Sequence, residues 1–211
     1  MSEKIKFTVY LAGAIEKATM AETLNWRTEI ENKLKCKDIV FYNPITREMQ
    51  KTGRSFKEQG DCLKGLKQGG HWDKFREELR KIWFGGIKPE SGHIPDIFTF
   101  LRTRKMIDGN ELRDLDFWAD WEAVLRSDFI IALMEKDVPT IGTVGEIFVS
   151  YIFKIPIYLV IDVPKTEANS TLLDWVLGSG GDVFYSVNEV SKFIIEKYGI
   201  KTEIKIDEEK K

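Results

Sequence analysis

Gly142-Thr143-Val144-Gly145-Glu146-Ile147 places a carboxylate just after a glycine-containing break that follows the apolar run Phe129 to Met134. This order predicts a buried strand, a loop, and a helix whose first turn carries Glu146. A helix N-terminus favours the ionised carboxylate, and an ionised glutamate is a nucleophile that can form a covalent intermediate. The spacing Thr143-x-x-Glu146 also fits a capping box, in which both side chains satisfy free backbone N–H groups. The two readings differ in whether Glu146 meets a substrate or only the backbone.

A second carboxylate segment lies upstream. From Asp114 to Ser127 the chain reads as a helix with Phe117, Trp118, Trp121, Val124 and Leu125 on one face. Asp116 and Asp120 fall four apart, on neighbouring turns. Asp120 borders the tryptophan-rich face, where partial desolvation raises a carboxyl towards the range useful for proton transfer; a solvated aspartate at the edge of the stripe is the plainer alternative. Asp128 directly precedes the apolar strand and reads as a turn-fixing residue, whereas Asp137 lies in the loop after that strand, where a ligand would approach. Tyr10-Leu11-Ala12-Gly13-Ala14-Ile15 is a strand running into a glycine turn. Gly13 lets a ligand come close to the backbone, but the full glycine pattern of a dinucleotide site is absent.

These residues need a scaffold, and the spacing of apolar runs predicts one. Phe7 to Ala12, Ile39 to Tyr42, Phe129 to Met134, Ile157 to Ile161 and Val183 to Val187 read as five buried parallel strands. Helical segments separate them: Met20 to Leu34, with Trp26, Ile30 and Leu34 four apart, Glu146 to Phe153, and Val187 to Tyr198, stopped by Gly199. The alternation predicts a doubly wound, flavodoxin-like α/β fold with helices on both faces of a five-stranded parallel sheet. Its ligands belong at the carboxyl ends of the strands.

A stretch from about 47 to 110 interrupts the alternation. It holds ten basic and six acidic residues between Arg47 and Lys81, and the breaks Gly69-Gly70 and Gly85-Gly86. Phe75, Leu79, Ile82 and Trp83 predict an amphipathic helix within it. We read it as a helical insertion or lid within a single domain over 1–200, followed by a charged tail over 201–211. Its positive balance could meet a phosphate or could simply be a solvated face.

Composition narrows the function classes. The 211 residues are 43% hydrophobic and 31% charged, with a formal net charge of -2, which describes an ordinary mixed surface and gives no global sign of polymeric nucleic acid or membrane binding. The longest apolar runs are about six residues, far below the roughly 20 that a membrane helix needs. Two cysteines, Cys36 and Cys62, and no opening signal pattern suggest a reducing cytoplasm. With only His71 and His93 beside them, no zinc or di-metal spacing is present. We expect no cofactor, while Mg²⁺ carried on a substrate phosphate stays compatible with the sequence.

Taken in order, Tyr10-Leu11-Ala12-Gly13, Trp26-Arg27, Asn43-Pro44, Asp120 eight residues before Asp128, Gly142-Thr143-x-x-Glu146 and Leu173-Asp174-Trp175 resemble the nucleoside 2-deoxyribosyltransferase family, most closely its divergent, often phage-encoded branch. The likeness runs over most of residues 7–198 and is most specific over 114–161. It implies that Glu146 is the nucleophile, that Asp120 acts on the nucleobase, and that Tyr10 steadies Glu146. Gly13, Ala14, Trp26, Arg27, Asn43, Gly142 and Thr143 would then line the substrate cleft, with Asp137 offered to the sugar 3′-hydroxyl at a spacing unlike that of the family's better-known members. The long insertion has no counterpart in the compact enzymes.

The chemistry so implied moves 2-deoxyribose between nucleobases. Trp26, Tyr42, Trp72 and Trp118 are the aromatic residues available to stack on a base. The partners would be a nucleoside or nucleotide, a free nucleobase, and further copies of the chain in a homo-oligomer. Three alternatives remain open at this point. The same carboxylates could hydrolyse a nucleoside 5′-monophosphate, with Gly13 to Ile15 N–H groups, Arg27 or the insertion's basic residues on the phosphate. They could act as a glycohydrolase on NAD, or the chain could be a non-catalytic nucleotide-binding module.

Overall fold

The computed structural model describes residues 7–15, 20–84, 120–136 and 141–203. The described chain runs β1 (Phe7–Gly13), α1 (Met20–Lys33), β2 (Ile39–Tyr42), α2 (Pro44–Thr52), α3 (Phe56–Gln68), α4 (Trp72–Phe84), α5 (Asp120–Arg126), β3 (Phe129–Met134), α6 (Ile141–Ile152), β4 (Ile157–Ile161), α7 (Ser170–Gly178), β5 (Asp182–Phe184) and α8 (Val187–Tyr198). The five strands form one parallel sheet in the order β2-β1-β3-β4-β5. This is the doubly wound arrangement that the alternating runs predict. The chain forms two compact units, Met1–Phe41 with Ser127–Lys211, and Tyr42–Arg126.

In the first unit, the two-residue period of the strands sorts side chains between two layers. Val9, Leu11, Phe129, Ile131, Tyr158 and Val160 face α1 and α8, where Trp26, Ile30, Leu34, Val190 and Ile194 complete a buried cluster. Thr8, Tyr10 and Ala12 alternate with them on β1 and turn to the opposite face, where α6 lies. The register sets Tyr10 beside Ile130 and Ala12 beside Ala132. Asp128 locks that register: its N–H donates to the Thr8 carbonyl at 2.8 Å and its carboxylate accepts the Thr8 N–H at 2.7 Å. The turn-fixing reading of Asp128 therefore takes the form of a clamp between β1 and β3.

Two boundaries differ from expectation. The fifth strand ends at Phe184, three residues short of Val187, because Ser186 caps α8: its Oγ accepts the Glu189 N–H at 3.1 Å, and the Glu189 carboxylate accepts the Tyr185 N–H at 2.8 Å. An N-cap holds extended backbone and starts the helix at the next residue. The second difference concerns the helix after β3. It includes Ile141 and so begins five residues before Glu146. Gly142 and Gly145 read as breakers in the sequence, at about 1 kcal/mol each relative to alanine. Burial of Thr143, Glu146, Ile147, Val149 and Ser150 along one face outweighs that penalty.

The end of α8 agrees with expectation: Gly199 adopts φ 62° and its N–H closes on the Ile195 carbonyl. In the second unit, α2, α3 and α4 follow β2 as the expected helical segment. Ile82 is buried and Phe75 and Leu79 are half-buried, which is the amphipathic stripe of α4. No described helix is long and apolar enough to cross a membrane.

Candidate active site

In a sheet of this order, β1 and β3 are the neighbours whose connections leave in opposite directions, and ligands bind at the carboxyl ends of such a pair. Tyr10 stands on β1 and Glu146 on α6, the helix that follows β3. The Tyr10 hydroxyl donates to Glu146 Oε1 at 2.6 Å, a length typical of a charge-assisted O–H···O⁻ bond, with both residues buried. The two residues are 136 apart in sequence, so only the parallel pairing of β1 with β3 makes them partners.

Glu146 is 5% exposed, and its environment sets its chemistry. Burial is the largest influence and pushes the carboxyl up from 4.5 to about 7; the Tyr10 hydrogen bond and the Arg27 guanidinium act in the opposite direction. This corrects the expected electrostatics. Glu146 sits in the second turn of α6, with Thr143 already inside the helix, so neither a first-turn position nor a Thr143 capping box describes it. The dipole at the helix end fades within the first turn. Tyr10 and Arg27 are what favour the carboxylate.

Among the described residues Arg27 is the largest fully buried side chain. Its Nε donates to the Leu11 carbonyl at 3.3 Å, Nη2 to the Gly13 carbonyl at 3.0 Å, and Nη1 to the Thr23 carbonyl. A guanidinium so occupied by backbone does not fit the phosphate-anchoring part considered for it. Gly13 has a matching explanation: a Cβ there would lie 2.7 Å from the Trp26 ring and 3.2 Å from Arg27 Nη2. The close approach that Gly13 permits is made by these two side chains. Trp26 itself belongs to the core beneath β1, 7% exposed, with the Arg27 guanidinium 4.5 Å from its ring centre. It packs the core instead of presenting a face to a base.

The remaining sequence candidates fall as follows. Thr143 is buried and Gly142 half-buried in the first turn of α6, and Ala14 is half-buried just past β1. The first unit thus brings Tyr10, Gly13, Trp26, Arg27, Thr143 and Glu146 onto three consecutive layers of one fold. In the second unit Asn43 caps α2, its Oδ1 accepting the Ile45 N–H at 3.2 Å. Asp120 lies in α5 and is buried, 4% exposed, and Glu122 in the same helix pairs with Arg126. Tyr42 is buried, and Trp72 is 59% exposed at the start of α4. Asp116, Trp118 and Asp137 lie outside the described residues. Asp174 and Trp175 fall in α7, where Trp175 packs on Phe148 and Tyr151 of α6.

The sequence carried a signal for Arg27 that pattern reading passed over. Thr23, Arg27 and Ile30 recur at helical spacing along the buried face of α1, and Leu34 continues the stripe just past its end; a cation in an apolar stripe needs fixed partners. Among the described residues no group of His, Cys, Asp and Glu could hold a metal ion. No protein-family model matches the chain, and no curated protein matches it.

Proposed function

We propose that the protein transfers 2-deoxyribose between nucleobases, with Glu146 as the nucleophile. The observation that carries this reading is the buried Tyr10–Glu146 pair, 2.6 Å apart, on the two elements that border the switch point of the sheet. Fold alone would carry no function; the site does.

Cleavage of an N-glycosidic bond develops positive charge on the sugar, and a carboxylate beneath the anomeric carbon stabilises it. Tyr10 holds Oε1, which fixes the carboxyl so that Oε2 attacks C1′. The C1′–N bond breaks, its electron pair leaves with the base, and a glutamyl-deoxyribose ester forms. A nitrogen of the second base then attacks C1′ and releases the carboxylate. With its carboxyl near neutral pH, Glu146 is ionised in part of the population at pH 7 and fully at higher pH. The family likeness gives Asp120 the proton for the departing base and has the same carboxylate take the proton of the incoming one.

The engagement of Arg27 with three backbone carbonyls weighs against a 5′-phosphate requirement met through that residue. The test is chromatography of purified protein with several deoxynucleosides and their 5′-monophosphates, with and without a second free base, beside Glu146→Ala. A new deoxynucleoside that forms only with the intact glutamate supports transfer. Free base without exchange turns the reading to a hydrolase, and no cleavage at all turns it to a binding module.

A further inference from the structure

We propose that Arg27 is a positioning residue for Glu146: by gripping the end of β1 it fixes the strand from which Tyr10 holds the carboxyl. The inference rests on Glu146 being the nucleophile.

The geometry gives it two parts. The first is mechanical. Arg27 Nε and Nη2 take the Leu11 and Gly13 carbonyls at the carboxyl end of β1, and Nη1 takes the Thr23 carbonyl one turn back on its own helix. One planar fork thereby ties α1 to the strand end that follows Tyr10, where a Cβ on residue 13 would stand 3.2 Å from Nη2. A guanidinium offers this geometry and an ammonium does not.

The second part is electrostatic. Hydrogen bonds to three carbonyls do not neutralise the charge of Arg27, and in a buried setting that charge acts over several ångströms with little screening. Glu146 responds to it. Other groups do not compete. Glu146 is the only charged residue of α6. Of the elements packed against α6, β3 brings no titratable side chain, β1 brings Tyr10, β4 brings Tyr158, which turns to the opposite face, and α7 brings Asp174. Among the described residues, Tyr10 and Arg27 are the groups that favour the Glu146 carboxylate.

A merely structural arginine and a positioning one separate by pH profile. In Arg27→Gln the acid limb of kcat/KM moves up by about one pH unit, a roughly tenfold loss on the acid side that recovers at alkaline pH, while Arg27→Lys, which keeps the charge, lies closer to the parent. Equal loss at every pH, with the limb unmoved, would overturn the proposal. A measurement on the native chain covers the case in which Arg27→Gln does not fold. The Arg27 Nε–H resonance, followed by NMR across the neutral range, titrates with a midpoint near that of Glu146, and in Glu146→Gln the titration disappears. A resonance that stays flat, or titrates equally in both proteins, would likewise overturn it. If the resonance titrates as expected while no nucleoside is cleaved, the Arg27–Glu146 coupling stands and the transferase reading fails.

Discussion

Replacing Glu146 with glutamine should stabilise the protein, and only above acidic pH. An unfolded chain ionises this carboxyl near 4.5, whereas the folded protein holds it protonated up to about 7. Between those values the folded state binds the extra proton, so stability falls as pH rises. The contribution is fully present below pH 4.5 and gone above about 7. The gap corresponds to about 3 kcal/mol, at about 1.4 kcal/mol for each tenfold change in proton affinity. Glutamine keeps the shape and the carbonyl that accepts from Tyr10, yet never ionises, so Glu146→Gln escapes the penalty. For a chain of this size about 3 kcal/mol corresponds to a Tm higher by about 6 to 12 °C at pH 8. Near pH 4.5 the two proteins should melt together. Thermal unfolding by circular dichroism, in buffers spanning that range, reads both numbers. A variant no more stable than the parent at pH 8, or a difference that does not change with pH, would refute the burial argument for Glu146.

Other consequences follow from the same contacts. The kcat/KM profile should show an acid limb near pH 7 set by Glu146, and Tyr10→Phe should move that limb upward, because the lost hydrogen bond favours the carboxylate; initial rates against pH check both. Gly13→Ala drives a Cβ to 2.7 Å from the Trp26 ring and should destabilise by about 1 to 3 kcal/mol in urea titrations, as overpacking does. Ser186→Ala removes the cap of α8 and should cost about 1 kcal/mol, read as a lower urea midpoint with an unchanged slope.

The fold was legible because its parallel strands are buried on both faces and so read as continuous apolar runs, from Phe7, Phe129 and Ile157. Local chemistry decided what was less legible. Ser186-x-x-Glu189 is a capping signature inside a run of strand-forming residues, and capping won. The two glycines of α6 masked its first turn, which forms because the helix buries Thr143, Glu146 and Ile147, a tertiary fact that propensity does not contain. At the site, Tyr10 and Glu146 could be named from the order of motifs, but their contact depends on a strand pairing between distant segments. The ionisation of Glu146 could not be read at all. Helix position suggested a low value, and burial imposes a high one. Trp26 and Arg27 show the converse limit: their types suggested stacking and phosphate binding, and only the close packing of both side chains over Gly13 and the grip of Arg27 on the Leu11 and Gly13 carbonyls reveal that they pack and brace the end of β1.

The central claim is a covalent bond between Glu146 and the sugar, and mass spectrometry of the acid-quenched protein reads it directly. Incubation with a deoxynucleoside and no acceptor base should add the mass of one deoxyribosyl group to the peptide containing Glu146, and free acceptor base should remove it with formation of the new nucleoside. Turnover with no adduct on Glu146, or an adduct that persists in Glu146→Gln, would contradict the account.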